Sequence, residues 1–420
     1  PPGGDSMKFL VAQLGARMHY AVARMLQAAG RLDRLCTDIC AVKGLPRLLG
    51  IIPPALRPAP IKRLLGRVPR DIPRSRIVAF TEFGRDYARR RAAARSPAKA
   101  TAAHLWAGKT FCDRIIRSGT GEAEAVYVFN SAGLELMLHA RGRGLKTVLE
   151  QTIAPMQFEC DLMRAEQQRF PGWQGSSPEN DLAAQFIARE KAEWAEADLI
   201  VCGSEFVRDS IARCGGDSSR CAVVPYGVDA SFEVPWRPRS RGPLRVLTVG
   251  EIGLRKGSPY VLEAARSLGK HAQFRMVGNL KASPAAQHDL RAHIEITGPV
   301  PRAEILKHYA WADVFLLPSI CEGSATVTYE ALACGLPVIT TPNTGSIVRD
   351  GVDGFVVPIA DSTAIAASLE TFVSAPGRLV FFSTNALLRA KEGSLAAYAR
   401  RLTQSLALLA HSPLLEGEAL

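Results

Sequence analysis

The stretch CEGSATVTYEALACGLPVITTPNTG, residues 321–345, places Glu322 and Glu330 eight apart with small residues between them. Just ahead of it, DVFLLP (313–318) is a short apolar run that reads as a strand. ATVTYEALAC (325–334) reads as a helix stopped by Gly335, and LPVIT (336–340) as the next strand. Strand, loop, helix and strand in this order predict a βαβ crossover and a parallel sheet.

The same alternation runs outward in both directions. KFLVAQ, RIVAF, AVYVF, KTVLEQ, DLIVCG and CAVVP are strand-like runs of the first half. LRVLTVG, QFRMVG, IEITG and GFVVP join the two already named in the second half. Helical patterns over 100–118, 179–197, 258–268 and 301–311 separate them. The expected fold is α/β, with two doubly wound Rossmann-like domains facing a central cleft. The first is expected over 7–234, a Pro- and Arg-rich linker over 235–243, and the second domain over 244–391. An amphipathic helix within 392–420 is expected to pack back on the first domain. Open sheets of this kind bind ligands at the carboxyl ends of their strands.

The opening stretch is then a ligand loop. Ser324 is expected to cap the helix by accepting a bond from a first-turn amide. Gly323, Ser324 and Ala325 let a ligand approach the backbone. The helix start offers free N–H groups and a positive dipole end that favour phosphate. Glu322 and Glu330 flank that anion site and can accept hydrogen bonds from hydroxyl groups. Phosphates between two polyols, as in a nucleotide sugar, satisfy the whole set. VGEIGLRKG (249–257) follows another strand, and its adjacent Arg255 and Lys256 suit a diphosphate.

The motifs EGSATVTYEALACGLPVITT, NTGSIVRDGVDGFVVPIAD, VGEIGLRKG, ITGPVPRAEILKHYAWADVFLLPS and VVPYGVDASFEV resemble those of GT-B fold retaining glycosyltransferases of the family 4 type, glycosyl transferases group 1. They cover most of residues 220–361. The resemblance implies catalytic roles for Glu322, which would hold the donor sugar's hydroxyls, and for Arg255 and Lys256, which would neutralise the leaving diphosphate. It implies nucleotide-sugar contacts at Gly15, Gly250, Gly278, Asn279, Val300, Gly323, Ser324, Ala325, Thr326, Val327 and Glu330. Glu330 would hold the ribose, Val300 the base by its backbone, and Gly15 would face the phosphates. Asn130 and Gln151 stand where the family often carries histidine. With Arg17 and His19 they are the candidate lining of the donor and acceptor cleft. No Asp-x-Asp pair occurs, so no metal and no cofactor are expected. The implied activity moves a sugar, with a UDP-sugar favoured, to a glycan or lipid-linked acceptor, as in polysaccharide biosynthesis. A GT-B-fold sugar-nucleotide epimerase and a non-catalytic sugar-nucleotide-binding protein are the alternatives.

The net charge of +12 is local. Thirteen basic and three acidic residues lie between Arg57 and Lys99, directly after the apolar GLPRLLGIIPPAL. Apolar and basic segments side by side suit a peripheral contact with anionic lipid, and a solvated basic face is the other reading. Nucleic acid is not an expected partner, because the charge is local and the motifs are sugar-nucleotide ones. The nine cysteines contain no CxxC pair and read as reduced thiols, which with the rejected leader at MKFLVAQLGARMHY (apolar run cut by Gln13 and Arg17) points to a cytoplasmic place, or the cytoplasmic face of a membrane. Residues 1–6 precede Met7 and are set aside from the fold.

Overall fold

The computed structural model describes residues 7–410 apart from 45, 50, 54–55, 176–178 and 230–241. The expected linker, 235–243, lies almost wholly outside the described residues, as do residues 411–420.

The first sheet comprises β1 (Phe9–Gln13), β2 (Leu32–Thr37), β3 (Ile77–Ala79), β4 (Ala125–Phe129), β5 (Lys146–Gln151), β6 (Leu199–Cys202) and β7 (Cys221–Val223). Their order is β3-β2-β1-β4-β5-β6-β7, and every pairing is parallel. The second comprises β8 (Leu244–Val249), β9 (Ala272–Val277), β10 (Ile294–Gly298), β11 (Val314–Leu317), β12 (Val338–Thr340) and β13 (Gly354–Val356). Its order is β10-β9-β8-β11-β12-β13, again all parallel. Helices cover both faces of such sheets, so central strands must be apolar on both sides. FLVAQ of β1 and AVYVF of β4 are buried at all five positions.

β2 is absent from the apolar runs legible in the sequence. Its segment LDRLCT carries Asp33 and Arg34 within the strand. These two pair with each other at 2.9 Å at the sheet's rim, while Leu35 and Cys36 beyond them are fully buried.

Strand order reverses at β1/β4 and at β8/β11, so each sheet opens a crevice there at its carboxyl end. The two crevices face each other. The amide of Ala154, after β5, donates to Glu322 O at 3.2 Å. The Ser204 hydroxyl, after β6, donates to Gly323 O at 2.5 Å.

Beyond β13, two helices pack on the second domain, and the chain then returns to the first. The Val228 amide donates to Gly393 O at 2.8 Å and the Leu395 amide to Val228 O at 3.2 Å. Helix Leu395–Ala407 sets the Tyr398 ring edge-on to Tyr226, centroids 5.5 Å apart. Its Arg401 donates to Pro225 O at 2.8 Å and Tyr226 O at 3.2 Å. No single described helix is long and apolar enough to cross a membrane.

Candidate active site

The loops that follow β8 and β11 are tied to each other. The Ile320 amide donates to Arg255 O at 2.9 Å, and Arg255 Nη1 donates to Cys321 O at 3.3 Å. This brings together three side chains that the sequence separates by 66 residues. Glu322 Oε1 lies 2.6 Å from Lys256 Nζ and 3.0 Å from Arg255 Nη1. Burial pushes the Glu322 carboxyl up, but Lys256 and Arg255 together outweigh it and hold the group below the usual carboxylate range. The Lys256 stem rests on the Gly250 backbone, and the side chain is buried. Two cations pair with this one carboxylate, and Glu159 and Glu251 also act on Arg255. Glu322 is therefore an ion-pair partner of Arg255 and Lys256 as well as a candidate hydroxyl acceptor.

Two expectations about the following turn are corrected. Ser324 does not cap helix Thr326–Ala333. Ala325 is the N-cap, without a side-chain bond, and the Ser324 hydroxyl pairs with the Tyr329 hydroxyl at 2.7 Å. A buried phenol one turn on outcompetes the amide for the serine. At Gly323 the side that a Cβ would occupy is taken by protein, not left open to a ligand. A Cβ there would lie 2.0 Å from Thr152 O and 3.0 Å from Ile153 Cα, so the space its missing side chain leaves is filled by first-domain backbone.

Glu330 and Thr326 face a cavity of about 170 Å³ that the first domain closes with His19 and Asp229. Glu330 Oε2 accepts from the Tyr309 hydroxyl at 2.9 Å, and Oε1 lies 3.5 Å from Arg302 Nη1. Burial raises the Glu330 carboxyl, and Tyr309 and Arg302 only partly offset this. Val300, half-buried, stands two residues before Arg302. Gly278 abuts Gly250 so closely that a Cβ would lie 1.7 Å from Gly250 O. Asn279 is exposed next to it and accepts from the Ile252 amide at 2.7 Å.

On the first-domain side the turn after β1 is strained. Met18, His19 and Tyr20 all have left-handed backbones, φ 46°, 52° and 61°. Each costs about 1–2 kcal/mol for a non-glycine residue, and such strain concentrates at functional sites. The Gly15 amide donates to Asp38 Oδ1 at 3.0 Å. Gln13 Nε2 donates to Gly15 O and Arg17 O, which holds the turn. Burial and then Arg302 lower the His19 pKa, so its ring is neutral near pH 7. Asn130 Oδ1 accepts from the Thr152 amide and hydroxyl at 3.2 and 2.9 Å. Gln151 does not line the cleft, a further correction. It is fully buried, donating to Ile153 O and Glu190 and accepting from Trp194 Nε1 at 3.0 Å.

Sequence reasoning missed Glu159, half-buried on helix Met156–Arg169. Its carboxyl is raised by burial, against the pull of Arg255 and with the push of Glu322. A lone helix-face glutamate carries no sequence signal. A second chamber of the cleft, about 660 Å³, opens at the carboxyl ends of β6 and β7, with Phe158, Phe206, Ile347 and Arg389 among its walls. Among the described residues no group of His, Cys, Asp or Glu is placed to hold a metal ion.

Two buried glutamates organise the loops around this site. Glu193 accepts the amides of Ser131, Gly133 and Leu134, and Glu190 accepts the amide of Met156 at 2.8 Å. Burial pushes both carboxyls up to about 7. A raised folded-state value means that their stabilising contribution is full below about pH 4.5 and is lost as pH rises to about 7. The size is of order 3 kcal/mol per group. Glu190→Gln should reduce the stability difference between pH 5 and pH 8 by an amount of this order, read from urea midpoints. An unchanged difference would show that Glu190 titrates like an exposed carboxylate.

Residues 243–375 match the family model described as Glycosyl transferases group 1. The amylovoran biosynthesis glycosyltransferase AmsK of Erwinia amylovora is 28% identical over 193 residues, 42% of this chain and 47% of AmsK. The chain spans about half the length of the curated relatives it matches. Among solved structures, sucrose-phosphate synthase from Thermosynechococcus elongatus aligns with TM-score 0.63 at 16% identity, covering 97% of this chain and all of that one. Anabaena Alr3699/HepE in complex with UDP aligns at 0.61 and 14% identity, covering 96% and 100%. Residues 243–375 thus match a group 1 glycosyltransferase domain, within a two-sheet fold that the chain shares with these solved structures.

Proposed function

We propose that this protein transfers a sugar, with retention and without a metal, from a nucleotide-sugar donor to a glycan or lipid-linked acceptor. The observation that carries this is the meeting of Arg255, Lys256 and Glu322 at the switch point of the second sheet. The bond from the anomeric carbon to the diphosphate breaks with both electrons going to the diphosphate oxygen. The acceptor hydroxyl oxygen forms the new bond on the same face, and its proton passes to the departing diphosphate. Cations placed in advance where negative charge develops stabilise that step without reorganisation, which is the work a divalent ion does elsewhere. Glu322 holds sugar hydroxyls, Glu330 the ribose, the amides of Ser324 to Val327 the phosphates, and the Val300 backbone the base. UDP is the favoured nucleotide, a choice supported by the UDP complex of the similarly folded HepE. A polysaccharide acceptor is supported by the name of AmsK. Proton NMR of the product formed from an α-linked UDP-sugar with and without acceptor tests this. An α-linked, acceptor-dependent product is expected. Acceptor-independent inversion of a sugar hydroxyl would point to the epimerase instead.

We further propose that the acceptor lies at the cytoplasmic face of an anionic membrane. Ile51 and Leu56 are 80% and 71% exposed in the segment that follows β2. Gly44, at its start, packs against Thr81 at the start of helix Thr81–Ala93. Among the described residues between 44 and 99, ten basic side chains are exposed against three acidic ones. Each basic residue near an anionic surface contributes about 1 kcal/mol. The protein should co-sediment with vesicles containing phosphatidylserine, bind neutral vesicles far less, and be released at roughly 1 M salt, where the Debye length is about 3 Å. Arg85→Glu with Arg89→Glu should weaken binding at least about tenfold. Equal binding to both vesicle types, or none, would rule the surface out.

A further inference from the structure

The sequence names Arg17, His19, Asn130 and Gln151 as first-domain candidates at the cleft, and two of them are engaged elsewhere. Gln151 is committed to buried partners, and Asn130 offers its carbonyl oxygen to Thr152. Arg17 is differently placed. Its Nη2 donates to Thr152 O at 3.4 Å and to the Tyr226 hydroxyl at 3.2 Å. Thr152 O is the atom against which Gly323 packs, so the guanidinium sits one carbonyl away from the Glu322–Ser324 loop. The Arg17 side chain keeps 38% of its surface exposed.

What fixes Arg17 is a buried acid. Glu150, 1% exposed at the end of β5, accepts from the Tyr127 hydroxyl at 2.7 Å and the Tyr226 hydroxyl at 2.8 Å. Arg17 Nε stands 4.0 Å from Glu150 Oε1, with the guanidinium 5.2 Å from the centre of the Tyr226 ring. Tyr226 is pinned in turn by Arg401 and Tyr398 of the returning C-terminal helix. A buried carboxylate is expensive to keep without hydrogen bonds and a partner. Here two phenols and one arginine supply them, and the arginine retains an open side toward the cleft.

We propose that Arg17 is the first domain's cation for the nucleotide sugar, contacting its diphosphate, with Glu150 and Tyr226 as the positioning residues that aim it. This rests on the nucleotide-sugar reading above. It makes the diphosphate's charge a load shared across the cleft, between Arg255 and Lys256 on one side and Arg17 on the other. The strained turn at Met18–Tyr20 is then the structural cost of presenting Arg17 beside Gly15.

The test is calorimetry with the nucleoside diphosphate that the parent binds tightest among UDP, GDP, ADP and dTDP, and with its nucleoside. Arg17→Ala should weaken the diphosphate about tenfold or more, the scale of one charge-assisted contact, and leave the nucleoside unaffected. Arg17→Lys should recover part of the loss, because it keeps the charge and loses the planar fork; it also serves if the alanine variant does not fold. Glu150→Gln should weaken the diphosphate alone, since the clamp loses its charge. If Arg17→Ala binds the diphosphate like the parent while Lys256→Ala does not, the inference fails and the nucleotide-sugar reading stands. Equal losses for diphosphate and nucleoside would assign Arg17 a merely structural role. A parent that binds no nucleoside diphosphate overturns both.

Discussion

Lys256→Ala should lower turnover at saturating donor by a hundredfold or more, with the thermal midpoint little changed. The Lys256 ammonium is buried and 2.6 Å from Glu322, so its field is not screened by water. Removing one such electrostatic contact typically costs about 2.7–4 kcal/mol of transition-state stabilisation. The variant also leaves Glu322 with Arg255 alone. A carboxylate half-relieved of its counter-charge repels the diphosphate as negative charge develops on it, which adds to the loss. Steady-state kinetics against a UDP-sugar measures this, and near-parent turnover would remove Lys256 from the chemistry.

Gly323→Ala should cost a comparable factor for a different reason. The added methyl would stand 2.0 Å from Thr152 O and 2.8 Å from its carbonyl carbon. Both are backbone atoms, so no rotamer change relieves the clash and no substitution at position 152 rescues it. The loops after β5 and β11 must separate by roughly 1 Å to restore ordinary contact, and a misplacement of that size costs about a hundredfold in rate. Nucleoside diphosphate affinity should fall by about tenfold at most, the share of Arg17, which is bonded to Thr152 O, because Lys256, Arg255 and Glu330 all lie in the second domain. The expected result is a fall in kcat that exceeds the rise in nucleotide Kd. Parent-like turnover would mean that the Gly323–Thr152 contact is dispensable for the reaction.

The two largest effects fall on positions that differed in how well they could be read. Lys256 and Glu322 were legible because each sits directly after an apolar run, beside small residues, where local pattern announces a loop at a strand's carboxyl end. The two sheets were legible for the same reason, except β2, whose Asp33–Arg34 pair broke the run. Gly323 was recognised as a close-approach position but assigned to a ligand, because nothing local reveals that Thr152 occupies the space. Ser324 satisfied a local capping rule that Tyr329 overrode. Gln151 ended a strand, as a cleft residue would, yet Glu190 and Trp194, about forty positions on, draw it inward. The Glu150 cluster was illegible altogether, since Tyr127, Tyr226, Arg17 and Tyr398 converge on it only in three dimensions.

The most direct test of the central claim is nucleotide binding to the intact chain, measured by calorimetry and thermal shift with UDP, GDP, ADP and dTDP. The parent should bind one of them, and at about 100 times its Kd that ligand should add roughly 2.7 kcal/mol of stability. Lys256→Ala and Glu330→Ala should each weaken it by about tenfold or more, as expected for the loss of one charged hydrogen-bonding partner. A parent that binds none of the four, or variants that both bind like the parent, would contradict the assignment of this cleft to a nucleotide sugar.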